Sequence, residues 1–261
     1  MVIPSYWYLD PKWPRAGNWG DIVAPEIIRH VSGREPEWRP LGGGRLLTVG
    51  SIAGKIQEND VVWGSGLIKP MMFSVPAGIE WRAVRGPLTR AILLAHGCAV
   101  PAVYGDPAAL MPAIHPTAGI AQEHDIGVIP HYVDREHFER VDDEVRGRVH
   151  VIDVMGGVRH VMEAVARCRI VLSSALHGVI LAEALGRPAA PISMGPRVIG
   201  GSFKFDDYYL GSGRMPVALR DWSERVSGAA LEDAVNAALN VPPPRYDLDR
   251  LVASFPYEFA T

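Results

Sequence analysis

Short apolar runs alternate along the chain with segments in which apolar positions recur every three to four residues. The runs predict strands at residues 46–51, 61–64, 81–84, 102–105, 126–130, 149–153, 170–174 and 189–193. The periodic segments predict helices at residues 22–31, 88–96, 135–145, 158–167 and 179–185. Strands that alternate with helices in this way are typical of parallel sheets covered by helices on both faces.

The alternation of strands and helices is interrupted around residues 114–123, where the apolar positions follow no strong period. Each side has enough strands and helices for a Rossmann-like half. We therefore predict an α/β fold with two Rossmann-like domains facing a cleft, the first over residues 1–118 and the second over 119–225. Residues 226–261 form a tail, with helices predicted at 229–239 and 248–254, and we expect this tail to pack back on the first domain.

Composition and charge narrow the class of protein. The chain has 48% hydrophobic and 21% charged residues, which is typical of a globular protein. Its formal net charge of −3 offers no basic field for a nucleic-acid backbone, so no nucleic-acid partner is expected. No apolar segment approaches the ~20 residues of a membrane span, and residues 1–5 lack the pattern of a signal peptide. We expect a cytoplasmic protein, and peripheral contact at the inner face of the cytoplasmic membrane remains open.

The strongest local signal is a turn between the apolar run at 170–172 and the helix predicted after it. The turn consists of Ser173, Ser174, Ala175, Leu176, His177 and Gly178. The first amides of such a helix have no internal partners and carry partial positive charge, so a phosphate or carboxylate can bind there. His177 could donate to that anion or transfer a proton. A helix start capped by serines, with a histidine bonded to backbone, is the plain alternative.

Several polar segments follow strands or begin helices in the first half. Asp21 is a plausible helix cap after the turn Asn18-Trp19-Gly20, and Trp19 could stack on a sugar face. The loop of Gly64, Ser65 and Gly66 either lets a ligand approach backbone or is an ordinary turn.

Two arginines and an aspartate complete the first half's candidates. Arg85 follows a predicted strand at the edge of the cleft, and Arg90 lies about one helical turn later. Either could bind an anion in a bidentate manner or form a surface ion pair. Asp106 is a candidate helix cap or a candidate acid or base.

The second half adds a histidine and a polar-aromatic run. His131 follows the strand predicted at 126–130. The run at 204–209 is predicted as a loop suited to sugar hydroxyls and anions, and it contains Lys204, Asp206, Asp207, Tyr208 and Tyr209. A solvated loop is the alternative. No spacing typical of a metal site is present in the sequence.

Taken together, these segments resemble the polysaccharide pyruvyltransferase family, and in particular the ketal-pyruvate transferases of xanthan-type exopolysaccharides. The matching pieces are NWGD at 18–21, VVWGSGL at 61–67, RAVRGPLTRAILL at 82–94, VYGDPAAL at 103–110, IPHY at 129–132, SSALHGVILAEALGRP at 173–188 and FKFDDYYLGSGR at 203–214. They occur in family order and cover most of the chain from residue 18 to 214.

The resemblance implies phosphoenolpyruvate as donor and the hydroxyl pair of a sugar as acceptor, with a cyclic pyruvate ketal and phosphate as products. It implies no cofactor, a lipid-linked oligosaccharide as the expected form of the acceptor, and a two-domain arrangement like that of GT-B glycosyltransferases. Some relatives have a basic residue two positions before the histidine of the turn, where this chain has Ala175. The candidates for the missing contact are Lys204, Arg197 and Arg214, with Lys204 the first choice.

Our hypothesis from the sequence gives each candidate a role. Arg85 and the turn at 173–178 clamp the donor across the cleft, His177 contacts its phosphate and transfers a proton, and Asp106 is the base toward the acceptor. A GT-B glycosyltransferase that uses a nucleotide sugar is the alternative enzyme. A sugar- or anion-binding protein without catalytic activity is the alternative of another class.

Overall fold

Residues 2–11 and 17–260 are described in a computed structural model of the chain. The first half contains a parallel sheet of five strands, β1 to β5, in the order β2-β1-β3-β4-β5. The strands are β1 (Ile3–Tyr6), β2 (Pro36–Trp38), β3 (Leu46–Leu47), β4 (Val61–Trp63) and β5 (Glu80–Ala83).

The second half contains another parallel sheet of five strands, β6 to β10, in the order β10-β9-β8-β6-β7. The strands are β6 (His124–Ile129), β7 (His150–Val151), β8 (Cys168–Ser173), β9 (Ala189–Ser193) and β10 (Arg220–Asp221). Counted within its own half, each sheet has the order 2-1-3-4-5, which is the flavodoxin-like form of a doubly wound sheet. The α/β prediction is therefore confirmed, with two parallel sheets.

Ten α-helices connect and cover the strands in the described part of the chain. They are α1 (Trp19–Ile22), α2 (Ala24–Ser32), α3 (Pro87–Ala95), α4 (Met111–Ile114), α5 (Asp143–Arg146), α6 (Val158–Ala166), α7 (Leu176–Ala184), α8 (Phe203–Gly211), α9 (Gly228–Asn240) and α10 (Leu248–Ala253). Short 3₁₀ helices lie at Ala53–Lys55, Pro107–Leu110, Tyr132–Arg140 and Tyr257–Ala260. None of the described helices is both long and apolar enough to span a bilayer.

The predicted elements differ from the observed ones in a few places. The strand predicted at 102–105 is only an isolated bridge between Val84 and Tyr104. The helix predicted at 135–145 is a 3₁₀ helix followed by α5, and β1, β2 and β10 had no predicted counterpart. The loop predicted at 204–209 is wrong, because these residues lie in α8.

One hydrophobic cluster contains residues of both sheets and lies between them. One face of each sheet points into this shared core, and side chains of α2, α6 and α7 fill it together with Ile3, Leu46, Val61, Ile129 and Val171. The opposite face of the first sheet packs on α3, and the opposite face of the second sheet packs on α9. The two halves are therefore joined by apolar packing rather than by a linker alone.

The end of the chain packs against the first sheet. Trp63 in β4 donates its indole N–H to the Leu251 carbonyl oxygen in α10 at 2.8 Å. The ring of Phe255 meets Trp63 edge-on, with the ring centroids 5.0 Å apart. The described tail is thus divided, because α9 covers the second sheet while α10 covers the first.

A buried ion pair fastens α8 to the first sheet. Arg85, just after β5, and Asp207 in α8 are both fully buried, and their N–O distance is 3.0 Å. Arg85 also donates to Ser51 Oγ and to the Leu67 carbonyl oxygen, each at 2.7 Å. Asp207 accepts the N–H of Thr89 at 2.9 Å and its hydroxyl at 2.7 Å. Both charges are therefore compensated without water.

Replacing Asp207 by alanine should remove about 3–5 kcal/mol from the free energy of unfolding, because Arg85 would remain buried without its counter-charge. Asp206→Ala is the matched control. The Asp206 carboxylate is only half-buried and accepts one hydrogen bond, from Ser202 Oγ at 2.7 Å. We expect this control to lose less than about 1 kcal/mol. Urea unfolding followed by circular dichroism compares the two variants, and equal losses would contradict a structural role for the Arg85–Asp207 pair.

Candidate functional site

A cavity of about 450 Å³ opens where the carboxyl ends of both sheets meet. Its wall includes residues that follow β1 and β3 in the first sheet and residues that follow β6 and β8 in the second. In each sheet these are the two strands at which the strand order reverses, which is where open α/β sheets bind ligands. The lining residues are Tyr8, Asn18, Asp21, Ser51, Ile52, Lys55, Ile68, Lys69, His131, Tyr132, Val133, Ala175, Leu176, His177, Arg197, Val198, Ile199 and Lys204.

The serines of the turn at 173–178 shape the cavity wall from behind. Ser173 Oγ accepts the Ala175 N–H at 3.0 Å and lies 3.0 Å from the Ile129 carbonyl oxygen. Ser174 Oγ donates to Asp134 at 2.9 Å and accepts the His131 N–H at 2.8 Å. Neither hydroxyl lines the cavity. Gly178 is required for space, because a Cβ there would lie 2.3 Å from Ser173 Oγ.

The amino end of α7 faces the cavity through Ala175, Leu176 and His177. The N–H groups of Leu176 and His177 are the first two of the helix, so helix geometry gives them no intrahelical acceptor. The helix dipole adds partial positive charge at the same place. This end of the cavity is therefore suited to an oxyanion.

His177 is held between the two halves of the molecule. Its Nε2 lies 3.4 Å from the Oδ2 atom of Asp106, which is fully buried and accepts the Ala108 N–H at 3.0 Å. On the other side of the ring lies Gly20 in α1, where a Cβ would be 2.0 Å from His177 Nδ1. Asp106 and Gly20 thus restrict the imidazole to one orientation at the cavity wall.

Lys204 and Asp21 provide opposite charges in the cavity wall. The side chain of Lys204 in α8 is 6% exposed. The pKa of Lys204 is lowered to about 8, chiefly by burial and also by the charge of Arg85, while Asp134 and Asp21 act in the opposite direction. Burial raises the pKa of Asp21 to about 6, although His177, the Asn18 amide and Lys204 act in the opposite direction. Both groups can therefore exchange protons near neutral pH.

His131 lines the cavity as a neutral side chain. Burial lowers its pKa to about 3, and the charges of Lys204 and His177 contribute in the same direction. Its Nδ1 accepts the Val133 N–H at 3.4 Å, so the neutral ring has its proton on Nε2 and can donate it. Asn18 is 8% exposed and donates its amide to Asp21 at 3.1 Å.

The structure thus brings Asn18, Asp21, His131, Leu176, His177 and Lys204 to one cavity. Two predicted roles do not fit the positions of their residues. Arg85 does not line the cavity, because its guanidinium is fully buried against Asp207. Asp106 lies behind His177 and is also fully buried, so it cannot contact an acceptor directly.

Other predicted site residues have structural roles. Trp19 is 1% exposed in the shared core and cannot stack on a sugar. Gly66 makes room for the guanidinium of Arg85, Gly64 for the ring of Pro107, and Ser65 donates to the Gly50 carbonyl oxygen at 2.8 Å. Arg90 donates to the Val100 carbonyl oxygen at 2.9 Å.

The last two predicted site residues, Tyr208 and Asp206, lie in α8. Tyr208 is 1% exposed and donates to Glu183 in α7 at 2.6 Å, while Asp206 accepts from Ser202 outside the cavity wall. Arg214, one candidate for the contact missing at Ala175, forms a buried ion pair with Glu183 at 2.6 Å. Of the three candidates, Lys204 and Arg197 line the cavity.

Sequence reasoning missed Tyr8, Ser51, Lys55, Lys69 and Tyr132, all of which line the cavity. The lysines could have been noticed in the sequence, because lysine is rare in this chain. The chain has only four lysines among its 26 basic residues, at positions 12, 55, 69 and 204. Tyr8 and Ser51 stand in loops after strands and had no pattern of their own, whereas Tyr132, which begins a 3₁₀ helix, was part of the motif at 129–132 but was given no role. Among the described residues, no group of three or more His, Cys, Asp or Glu side chains could hold a metal ion.

Comparison with known proteins identifies the family of the chain. Uncharacterized protein L143 of Acanthamoeba polyphaga mimivirus is 31% identical to this chain over 165 residues, which are 61% of this chain and 57% of the viral protein. The chain therefore matches little more than half the length of that relative. No solved structure shows a significant match. Residues 65–196, half of the chain, match the sequence profile of polysaccharide pyruvyl transferases. This segment includes β5, β6, β8 and α7, and the chain belongs to the polysaccharide pyruvyl transferase family.

Proposed function

We propose that the chain transfers a pyruvyl group from phosphoenolpyruvate to two hydroxyls of one sugar, forming a cyclic ketal and releasing phosphate. The observation that carries this proposal is the amino end of α7, which shares a cavity with His177 and the buried Lys204. Phosphoenolpyruvate has a phosphate and a carboxylate on one small enol, so its site needs more than one group of N–H or cationic donors. The cavity offers them within one wall.

The donor's phosphate fits the N–H groups of Leu176 and His177, with Lys204 as the counter-charge. Its carboxylate then has the neutral His131 as a nearby donor. Lys204 takes the place of the basic residue that some relatives have at the position of Ala175. Because Lys204 is almost fully buried, its charge is weakly screened and acts strongly on a bound anion.

Ketal formation needs one proton donor and a base. C3 of phosphoenolpyruvate gains a proton, the first sugar hydroxyl attacks C2, and the bond from C2 to the phosphate oxygen breaks. The second hydroxyl then closes the ring at C2, and each hydroxyl loses its proton. One of these two protons balances the proton gained at C3, and the other leaves with phosphate or solvent.

We assign proton transfer to His177 and Asp21. Both line the cavity, and the raised pKa of Asp21, about 6, allows its carboxylate to accept a hydroxyl proton at neutral pH and release it again. Asp106 then acts through His177 as a positioning residue, since its carboxylate is 3.4 Å from Nε2 and has no access to the cavity. This assignment replaces a direct role of Asp106 toward the acceptor.

The same proposal covers the acceptor, the place where the enzyme acts and the arrangement of its domains. We expect the acceptor to be part of a bacterial polysaccharide or its lipid-linked precursor, and the enzyme to act in the cytoplasm or at the inner face of the cytoplasmic membrane. The two sheets would correspond to the two domains of a GT-B-like arrangement, with the cavity between them as the active site. Membership of the family supports pyruvyl transfer to a polysaccharide. The form of the acceptor, the location and the domain arrangement go beyond the family match and are part of our proposal.

The first prediction from the proposed function concerns the donor. Incubation with phosphoenolpyruvate and a panel of glycosides should release phosphate and give a pyruvylated product, detected by mass spectrometry. Lys204→Met should weaken binding of phosphoenolpyruvate about ten- to a hundredfold, since a charge-assisted hydrogen bond contributes about 1.5–3 kcal/mol. His177→Ala should lower kcat by about 10²–10⁴-fold.

Arg90→Ala is the control for both variants, because this arginine binds backbone outside the cavity and should leave donor affinity unchanged. Stabilisation of the protein by nucleotide sugars and not by phosphoenolpyruvate would contradict the proposal and favour a glycosyltransferase.

The second prediction concerns pH. The rate should rise as pH increases through about 6, where Asp21 becomes a carboxylate that can act as base. It should fall above about 8, where Lys204 loses the proton that makes it a counter-charge for the donor. Profiles of kcat/KM should lose the acidic limb in Asp21→Asn, and the basic limb should move to higher pH in Lys204→Arg. An acidic limb that persists in Asp21→Asn would remove Asp21 from proton transfer.

The third prediction concerns the orientation of His177. Gly20→Ala should displace the imidazole, because the new Cβ would lie 2.0 Å from Nδ1 in the present structure. We expect a loss of kcat of about 10²-fold, since small misplacements of a catalytic group have effects of this size. Gly147→Ala is the matched control. There the φ angle is −70° and the nearest atom is 3.5 Å from the new Cβ. Equal activity of the two variants would show that the ring position does not matter.

A further inference from the structure

Every lysine that the structure describes lines the same cavity. Lys55 and Lys69 belong to the first half and Lys204 to the second, while the fourth lysine of the chain lies outside the described residues. The chain otherwise uses arginine for positive charge. Lysine differs from arginine because it is a flexible point charge, suited to an anion whose position varies. Because the described lysines all line one cavity, we infer that they have a common function there.

The segments that contain Lys55 and Lys69 pack against each other. The N–H of Ala53, in the 3₁₀ helix that ends at Lys55, donates to the Gly66 carbonyl oxygen at 3.0 Å. A Cβ at Gly54 would be in ordinary contact with Met71 Sδ, at 3.4 Å, so the segments that contain the two lysines lie against each other. The Lys55 carbonyl oxygen also accepts from Arg45, whose guanidinium is buried with Asp60. The two lysines therefore stand on an anchored part of the first half.

Both ammonium groups are available to a ligand. Lys55 and Lys69 are exposed, and within the described ranges 2–11 and 17–260 neither ammonium forms a hydrogen bond or an ion pair. Most arginines of the described chain have a carboxylate or carbonyl partner instead, as Arg148 does with Glu232 and Arg169 with Asp125.

The cavity is a positive region in an acidic protein. Its wall has four cationic side chains and one carboxylate, that of Asp21, whereas the whole chain has a formal net charge of −3. The cations are Lys55, Lys69, Lys204 and Arg197. The donor, as proposed above, uses Lys204 and the amino end of α7. Arg197 is 3.9 Å from Asp134, so its charge is partly compensated. Two uncompensated charges remain at the first half's side of the cavity.

We propose that Lys55 and Lys69 bind an anionic group of the acceptor, a phosphate or a carboxylate attached near its reacting hydroxyl pair. This inference rests on the proposed function, because it assigns the donor to the other side of the cavity. A focused positive field would raise the encounter rate with such an acceptor and select it over neutral sugars. The interaction is exposed, so it should weaken as ionic strength rises.

The test uses matched acceptors and charge-matched variants. The probes are methyl hexopyranosides, the corresponding methyl hexuronides and hexose 1-phosphates, measured for kcat/KM and for binding by calorimetry without donor. Lys55→Gln combined with Lys69→Gln should weaken binding of the anionic probes and raise their KM about tenfold, since each exposed charge pair contributes only modestly. The neutral glycosides and phosphoenolpyruvate should be unaffected.

The control is Arg148→Gln combined with Arg169→Gln, which removes the same charge at exposed ion pairs outside the cavity wall. A preference for phosphates over uronides, or the reverse, identifies the source of the anion. Equal binding of neutral and anionic probes by the parent protein would overturn the inference, as would weaker phosphoenolpyruvate binding in the lysine variant. Absence of transfer with every probe would contradict the proposed function instead, while the calorimetric comparison would still decide the role of the two lysines.

Discussion

The buried ion pair of Arg85 and Asp207 determines where the cavity's charges lie. It joins the end of β5 to α8, and α8 presents Lys204 one turn before Asp207, on the same face of the helix. The position of Lys204 therefore depends on an arginine of the other half of the molecule. Arg85 also helps to lower the pKa of Lys204, so the same residue acts on both the place and the protonation of the cavity's buried lysine.

A second helix at the cavity is α7, which begins there with Leu176 and His177. The two helices are connected directly, because Glu183 in α7 accepts from Tyr208 in α8 and from Arg214 just after α8, and all three residues are buried. The helices that carry His177 and Lys204 are thus linked by polar contacts well behind the cavity. Such support is what a preorganised anion site requires.

The sequence predicted the α/β class and a strand-to-helix turn after β8, because strand runs and glycine turns are local patterns. Residues 176–178 of the predicted turn lie in α7 instead. The prediction from sequence failed for α8, since polar side chains on this helix have buried partners and leave no amphipathic period. It also failed for Arg85, whose partner Asp207 is 122 positions away along the chain. Trp19 was misjudged for a related reason, as a turn in the sequence lies in the core of the fold. These errors all concern contacts between distant segments.

The shared core has a consequence for modularity. Although each half has a complete sheet of its own, α8 lies between β9 and β10 of the second sheet in sequence and pairs its Asp207 carboxylate with Arg85 of the first half. A chimera that exchanges one half between relatives would therefore cut through the Arg85–Asp207 pair as well as the apolar layer between the sheets. Recombination within this family should succeed where the exchanged piece takes α8 along with β5 and α3. The segments on both sides of the interface would therefore have to be exchanged together, rather than one sheet at a time.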